Sequence, residues 1–125
     1  MKKTILIVED DEDLREIYKE ILELYDYDVQ IAFNGLEGVE QFKQKKPSLV
    51  IMDADMPVLD GYNAFKQIKE IDNNANVIIV TGFSDNDPRS KEAIKLGLTK
   101  IISKPIGVND LLDLVKKYTD TILEK

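Results

Sequence analysis

The chain is expected to fold as an α/β domain, a doubly wound parallel sheet of five strands in the order 2-1-3-4-5 with five helices. Three observations carry that expectation. Short apolar runs alternate five times with amphipathic stretches, the pattern of a parallel sheet with crossover helices. Three runs, Ile5-Leu6-Ile7-Val8, Leu49-Val50-Ile51-Met52 and Val77-Ile78-Ile79-Val80, are apolar without interruption and read as strands buried on both faces. The other two, Asp28–Ala32 and Thr99–Ser103, mix polar and apolar residues and belong at the edges. Right-handed crossovers place helices on both faces, and 2-1-3-4-5 is the simplest order with those edges.

Each helix is justified by its apolar face. Leu14, Ile17, Tyr18, Ile21, Leu22 and Tyr25 mark the first, whose acidic start, Glu9-Asp10-Asp11, suits the positive end of a helix dipole. Leu36, Val39 and Phe42 mark a short second helix that stops before Pro47. Ala64, Phe65, Ile68 and Ile71 form the third face, followed by a turn at Asp72-Asn73-Asn74. A polar loop from Ser84 to Pro88 leads to a fourth helix that closes at Gly97. Val108, Leu111, Leu112, Val115, Tyr118 and Ile122 share one face of the last, which is expected to run to the chain end. No repeat, low-complexity tract or linker interrupts the pattern, so residues 1–125 read as one domain.

Composition narrows the chemistry. With 17 basic and 24 acidic residues the net charge is −7, which argues against a nucleic-acid or anionic-membrane surface as the main partner. There is no cysteine, which excludes disulfides and thiol catalysis, and no histidine, so a metal would be a hard cation held by oxygen. The four apolar residues after Met-Lys-Lys-Thr are too few for a signal peptide, and no run is long enough to span a membrane, so a cytoplasmic location is expected.

The candidate site lies where the strands end. Asp53 closes the third strand, Glu9 and Asp10 follow the first, Thr81 the fourth and Lys104 the fifth. In open parallel sheets ligands bind at this carboxyl edge. Each residue alone has a bland reading, as a helix-start acid, a strand-end hydroxyl or a solvated cation. Their convergence from distant parts of the sequence is harder to explain that way. Like-charged carboxylates ~4 Å apart repel by about 1 kcal/mol per pair in water and about 4 at intermediate dielectric, so three of them call for a cation. Mg²⁺ fits carboxylate oxygens and keeps positions open for a phosphate, to which Lys104 and Thr81 would add a positive charge and a donor. Such a site can receive a phosphoryl group on Asp53.

On Ile5-Leu6-Ile7-Val8-Glu9-Asp10, Asp53-Ala54-Asp55-Met56-Pro57-Val58-Leu59-Asp60-Gly61, Val80-Thr81-Gly82 and Lys104-Pro105, the chain resembles the response-regulator receiver domains of two-component signalling, which share the flavodoxin-like strand order. The resemblance covers essentially all of the chain. It implies that Asp53 takes a phosphoryl group from a phosphohistidine on a sensor histidine kinase or a histidine phosphotransfer protein. It also implies that Glu9, Asp10, Asp53 and the backbone carbonyl of Asp55 hold Mg²⁺, and that Thr81 turns inward to the phosphoryl group with Lys104 pairing to it. Pro57 and Gly61 belong to the loop after Asp53, and the bond before Pro105 is expected to be cis. Phosphorylation would then reshape the face of helix 4, strand 5 and helix 5 toward a downstream protein of unknown identity. A single-domain signalling phosphoacceptor is expected rather than an enzyme, as a monomer or weak dimer contacting neither nucleic acid nor membrane.

The sequence departs from the family at Lys100 and Ile101 in strand 5 and at Asp55. Ile101 stands where a switch Tyr or Phe is usual, and its restricted χ1 cannot swing a ring. Asp55 adds a fourth acid, and Phe83 flanks the expected phosphoryl site. Two other resemblances fit less well. Haloacid-dehalogenase-type phosphatases share an aspartyl nucleophile but place their further metal acids after the lysine, where Asp110 and Asp113 fall inside the expected last helix. Flavodoxins need a Ser/Thr/Gly-rich phosphate loop after the first strand, where this chain has Glu9-Asp10-Asp11. A pseudo-receiver that only binds partners would not need the acids, Thr81 and Lys104 intact, although Ile101 is compatible with it.

Overall fold

A computed structural model describes residues 2–82 and 87–119. Five strands alternate with five helices: β1 (Thr4–Val8), α1 (Glu12–Leu24), β2 (Asp28–Ala32), α2 (Gly35–Lys45), β3 (Leu49–Asp53), α3 (Gly61–Ile71), β4 (Val77–Thr81), α4 (Pro88–Lys95), β5 (Lys100–Ser103) and α5 (Val108–Thr119). All pairings are parallel and the order is β2-β1-β3-β4-β5, as the strand compositions require. Every residue of β3 and β4 is buried, whereas the edge strand β5 buries none completely.

Side chains alternate across the sheet, giving two cores. On one face Leu6, Val8, Val50, Met52, Val77 and Ile79 pack under α2, α3 and α4, chiefly against Val39, Phe42, Phe65, Ile68 and Ala93. On the other, Ile5, Ile7, Leu49, Ile51, Ile78 and Val80 pack under α1 and α5 against Tyr18, Leu22, Leu111 and Val115. The two layers hold the carboxyl ends of β1, β3, β4 and β5 side by side at one rim.

Helix ends follow local chemistry. Asp11, Asn34, Asp60 and Asp87 are N-caps, each accepting a hydrogen bond from a first-turn amide. Pro88, expected in the loop, is instead the first residue of α4, where its missing N–H costs nothing. α4 stops at Lys95, with Gly97 just beyond at φ +100°.

Some residues assigned to apolar faces are exposed. Ile17 is displaced because the buried face of α1 is centred on Arg15, Tyr18 and Leu22. Tyr25 falls past the end of α1 and leaves its periodicity. Leu36 flanks a helix that approaches Val8 of the sheet through Gly38 and the Leu59 backbone through Gly35, and Val108 is the exposed first residue of α5. Phe83, Ser84 and Ile122 lie outside the described residues.

Candidate functional site

β1 delivers Glu9. Its amide extends the sheet ladder to the carbonyl of Ala32 at 3.1 Å, and Arg15 of α1 donates Nη1 to the Glu9 carbonyl at 2.8 Å. The side chain is thereby fixed and buried, with one carboxylate oxygen accepting from the Asp11 amide at 3.1 Å. Three consecutive acids therefore divide their work. Asp11 turns away to cap α1 through the amides of Asp13 and Leu14, while Glu9 and Asp10 face the rim.

β3 delivers Asp53, buried as the last strand residue, and the Ala54 amide bonds to the Val80 carbonyl at 2.9 Å to keep that end flush with β4. One oxygen each from Glu9, Asp10 and Asp53 lie within 4.8 Å of one another, and Lys104 Nζ reaches Asp53 at 2.9 Å. Burial foremost, with the charge of Asp53 adding to it, pushes the Glu9 carboxyl up to about 7 against the Asp11 amide, which favours its ionised form. Burial also raises Asp53, opposed by the hydrogen bond and charge of Lys104. For Lys104 burial acts downward, but the bond to Asp53 and the charges of Asp53 and Glu9 outweigh it, and its ammonium is held above the ordinary range.

Three hard-oxygen acids around one ammonium leave an excess of negative charge, and two of the acids are driven toward protonation by burial. A small divalent cation with oxygen preference is the group that relieves this, so the residues fit Mg²⁺.

The other expected residues gather at the same rim. Thr81 is buried at the end of β4, and the Lys104 amide donates to its carbonyl at 2.8 Å, which holds the two residues on adjacent strands. The Lys104–Pro105 bond is cis. Gly61 donates to the Ala54 carbonyl at 2.8 Å and starts α3 directly against the backbone of Asp53, so that a Cβ there would collide with the Asp53 carbonyl oxygen. Pro57 is exposed and accepts from the Leu59 amide at 2.8 Å, tightening the loop between β3 and α3. Ile101 stands apart, half buried in the core under α2, α3 and α4 and opposite Ile79.

Asp55 is exposed, and its carboxylate pairs with Arg89 of α4 at 3.3 Å. Reading the sequence missed Arg89, because nothing local links residues 34 apart. It also missed Arg15, for which a signal existed: a cation three and seven residues before Tyr18 and Leu22 sits on the apolar stripe. The guanidinium of Arg15 stacks on Phe33 at 4.3 Å.

Known proteins share this arrangement of sequence and fold. The family described as response regulator receiver domain matches residues 5–116. The chain is 37% identical over 115 residues to a chemotaxis protein CheY of Halobacterium salinarum, covering 92% of this chain and 95% of that one. It superposes on a CheY-like receiver domain protein of Methanospirillum hungatei with TM-score 0.90 at 28% identity, over the full length of both. It also matches the response regulator protein TrrA of Thermotoga maritima, solved in complex with Mg²⁺ and BeF, with TM-score 0.81 at 30% identity over 93% of this chain and 98% of that one.

Proposed function

The chain belongs to the response-regulator receiver domains of two-component signalling, and on that premise we propose that Asp53 is its phosphoacceptor, charged from a phosphohistidine. The observation that carries the reading is the buried carboxylate of Asp53, sharing a cluster with Glu9 and Asp10 and paired to Lys104 at 2.9 Å. An Asp53 oxygen forms the new bond to phosphorus while the phosphorus–nitrogen bond of the donor breaks. The electron pair stays on the imidazole, which takes up a proton.

Glu9, Asp10, Asp53 and the Asp55 carbonyl would hold Mg²⁺, which when bound neutralises charge on the transferring phosphoryl oxygens. The Mg²⁺–BeF complex of the Thermotoga relative supports that assignment. Lys104 transfers its pairing from the carboxylate to a phosphoryl oxygen, and Thr81 donates a hydrogen bond from the neighbouring strand. Drawing Thr81 and Lys104 together shifts the population of the face formed by α4, β5 and α5, which a downstream protein reads. A sensor histidine kinase or histidine phosphotransfer protein supplies the phosphoryl group. The chain assists its own phosphorylation and dephosphorylation and turns over no separate substrate.

Incubation with Mg²⁺ and a small acyl-phosphate donor, followed by intact mass, tests this. One added phosphoryl group is expected on the wild type, and none with EDTA or in Asp53→Asn. Repeated rapid turnover of the donor would contradict the reading in favour of a phosphatase.

A further inference from the structure

One cluster beside the phosphoacceptor is not used by that chemistry. Arg89 sits in the first turn of α4, and its guanidinium joins three elements. It bonds the α4 N-cap Asp87 through Nε at 3.1 and 3.2 Å and through Nη2 at 2.7 Å. It lies over the ring of Tyr62 in α3 at 4.7 Å, and it reaches the carboxylate of Asp55 at 3.3 Å. Below it the Tyr62 hydroxyl and Ser90 Oγ are 2.8 Å apart and buried.

The rest of α4 is held thinly. It has eight residues and buries only Ser90 and Ala93. Beyond the Tyr62–Ser90 bond, the described residues add the exposed pair Lys66–Glu92 at 3.2 Å. Because Asp87 fixes the guanidinium to α4 itself, a shift of the helix carries Arg89 with it. Because Asp55 lies two residues past Asp53, such a shift acts on the loop whose carbonyl serves the metal site. Ile101 supplies no aromatic ring to couple β5 to the same layer.

We propose that Arg89 is a positioning residue, a clamp that draws the Asp55 carboxylate toward α4 and couples the conformation of α4 to the metal and phosphoryl site. The inference deepens the phosphoacceptor reading and rests on it. A planar guanidinium can bond Asp87 and Asp55 together and stack on Tyr62, which an ammonium cannot do. With the clamp in place the Asp55 side chain is turned from the acid cluster. With the clamp released that fourth carboxylate is free to add its charge to the cation site. By reciprocity, metal or phosphoryl binding that attracts Asp55 loosens α4.

Two measurements test the clamp. In a double-mutant cycle read by Mg²⁺ affinity, Arg89→Gln should tighten binding roughly two- to fivefold in the wild type and leave it nearly unchanged in Asp55→Asn. A pure field effect of the lost charge would tighten both backgrounds equally and overturn the proposal. In the metal-free protein, amide exchange over residues 92–95 should speed up roughly two- to fivefold in Arg89→Lys, which keeps the charge but loses the fork. Exchange as slow as in the wild type would equally overturn it. If the wild type bound no Mg²⁺ and took no phosphoryl group, the phosphoacceptor reading would fall and the clamp with it. If it did both and the cycle showed no coupling, the clamp alone would fall.

Discussion

Glu9 adds a slope to the pH dependence of the metal-free fold. Its carboxyl is raised from 4.5 to about 7, by burial first and the charge of Asp53 next, and Asp53 is raised in the same direction. A raised carboxyl stabilises the fold in its protonated form, a contribution fully present below the unfolded value and lost as pH rises through the folded one. The melting temperature in EDTA should therefore fall between about pH 5 and pH 7.5. Glu9→Gln should flatten that slope, and saturating Mg²⁺ at pH 7.5 should reverse it by binding the ionised acids. A metal-free melting temperature that rises across this window would contradict the charge assignment. Val58 is a second residue with a definite expectation. It is a β-branched residue at φ 72° in the loop after Asp53, and three quarters of it is exposed, so the strained backbone is not offset by packing. Val58→Gly should raise stability by about 1 kcal/mol in urea titrations, and a loss of stability would show that Val58 makes an interaction that outweighs its strain.

At the scale of the element, the contact between α3 and β3 positions the site. Gly61 lies against the Asp53 carbonyl, and its amide closes the loop on Ala54. Gly61→Ala must push α3 away from the backbone of Asp53. We expect a loss of roughly 2 kcal/mol or more together with at least tenfold weaker Mg²⁺ binding. A loss of stability with unchanged metal affinity would show that α3 and the loop are not coupled. Much of this level was legible in the sequence. Unbroken apolar runs marked β1, β3 and β4 as interior, mixed runs marked β2 and β5 as edges, and polar residues at the strand ends marked the rim. Helix faces were less legible where a flanking position such as Ile17 or Leu36 stayed exposed, because the centre of a buried face depends on what it meets. Arg15 and the two glycines of α2 shifted those centres. The Arg89–Asp55 pair had no local signature at all, since it exists only once α4 is docked on α3.

For the whole molecule, two cores on one sheet exist to hold four strand ends in register. The sheet stacks apolar side chains on both faces of β1, β3 and β4, and the acids, the Thr81 hydroxyl and the Lys104 ammonium of the site gather where β1, β3, β4 and β5 stop. No helix among the described residues is long and apolar enough to cross a membrane. At the acid cluster, burial of Glu9 and Asp53 works against their ionisation until a cation arrives. Binding of Mg²⁺ to the folded state alone should therefore stabilise the domain in proportion to the logarithm of its concentration, and EDTA should undo it. The central claim is that this rim makes Asp53 a phosphoacceptor for a phosphorus–nitrogen donor. Its most direct test is to incubate the protein with phosphoramidate and Mg²⁺, reduce the product with borohydride and locate the modified residue by peptide mass. The account predicts modification at Asp53 and at no other acid. Modification at Asp10, Asp55 or elsewhere, with Asp53 untouched, would contradict it.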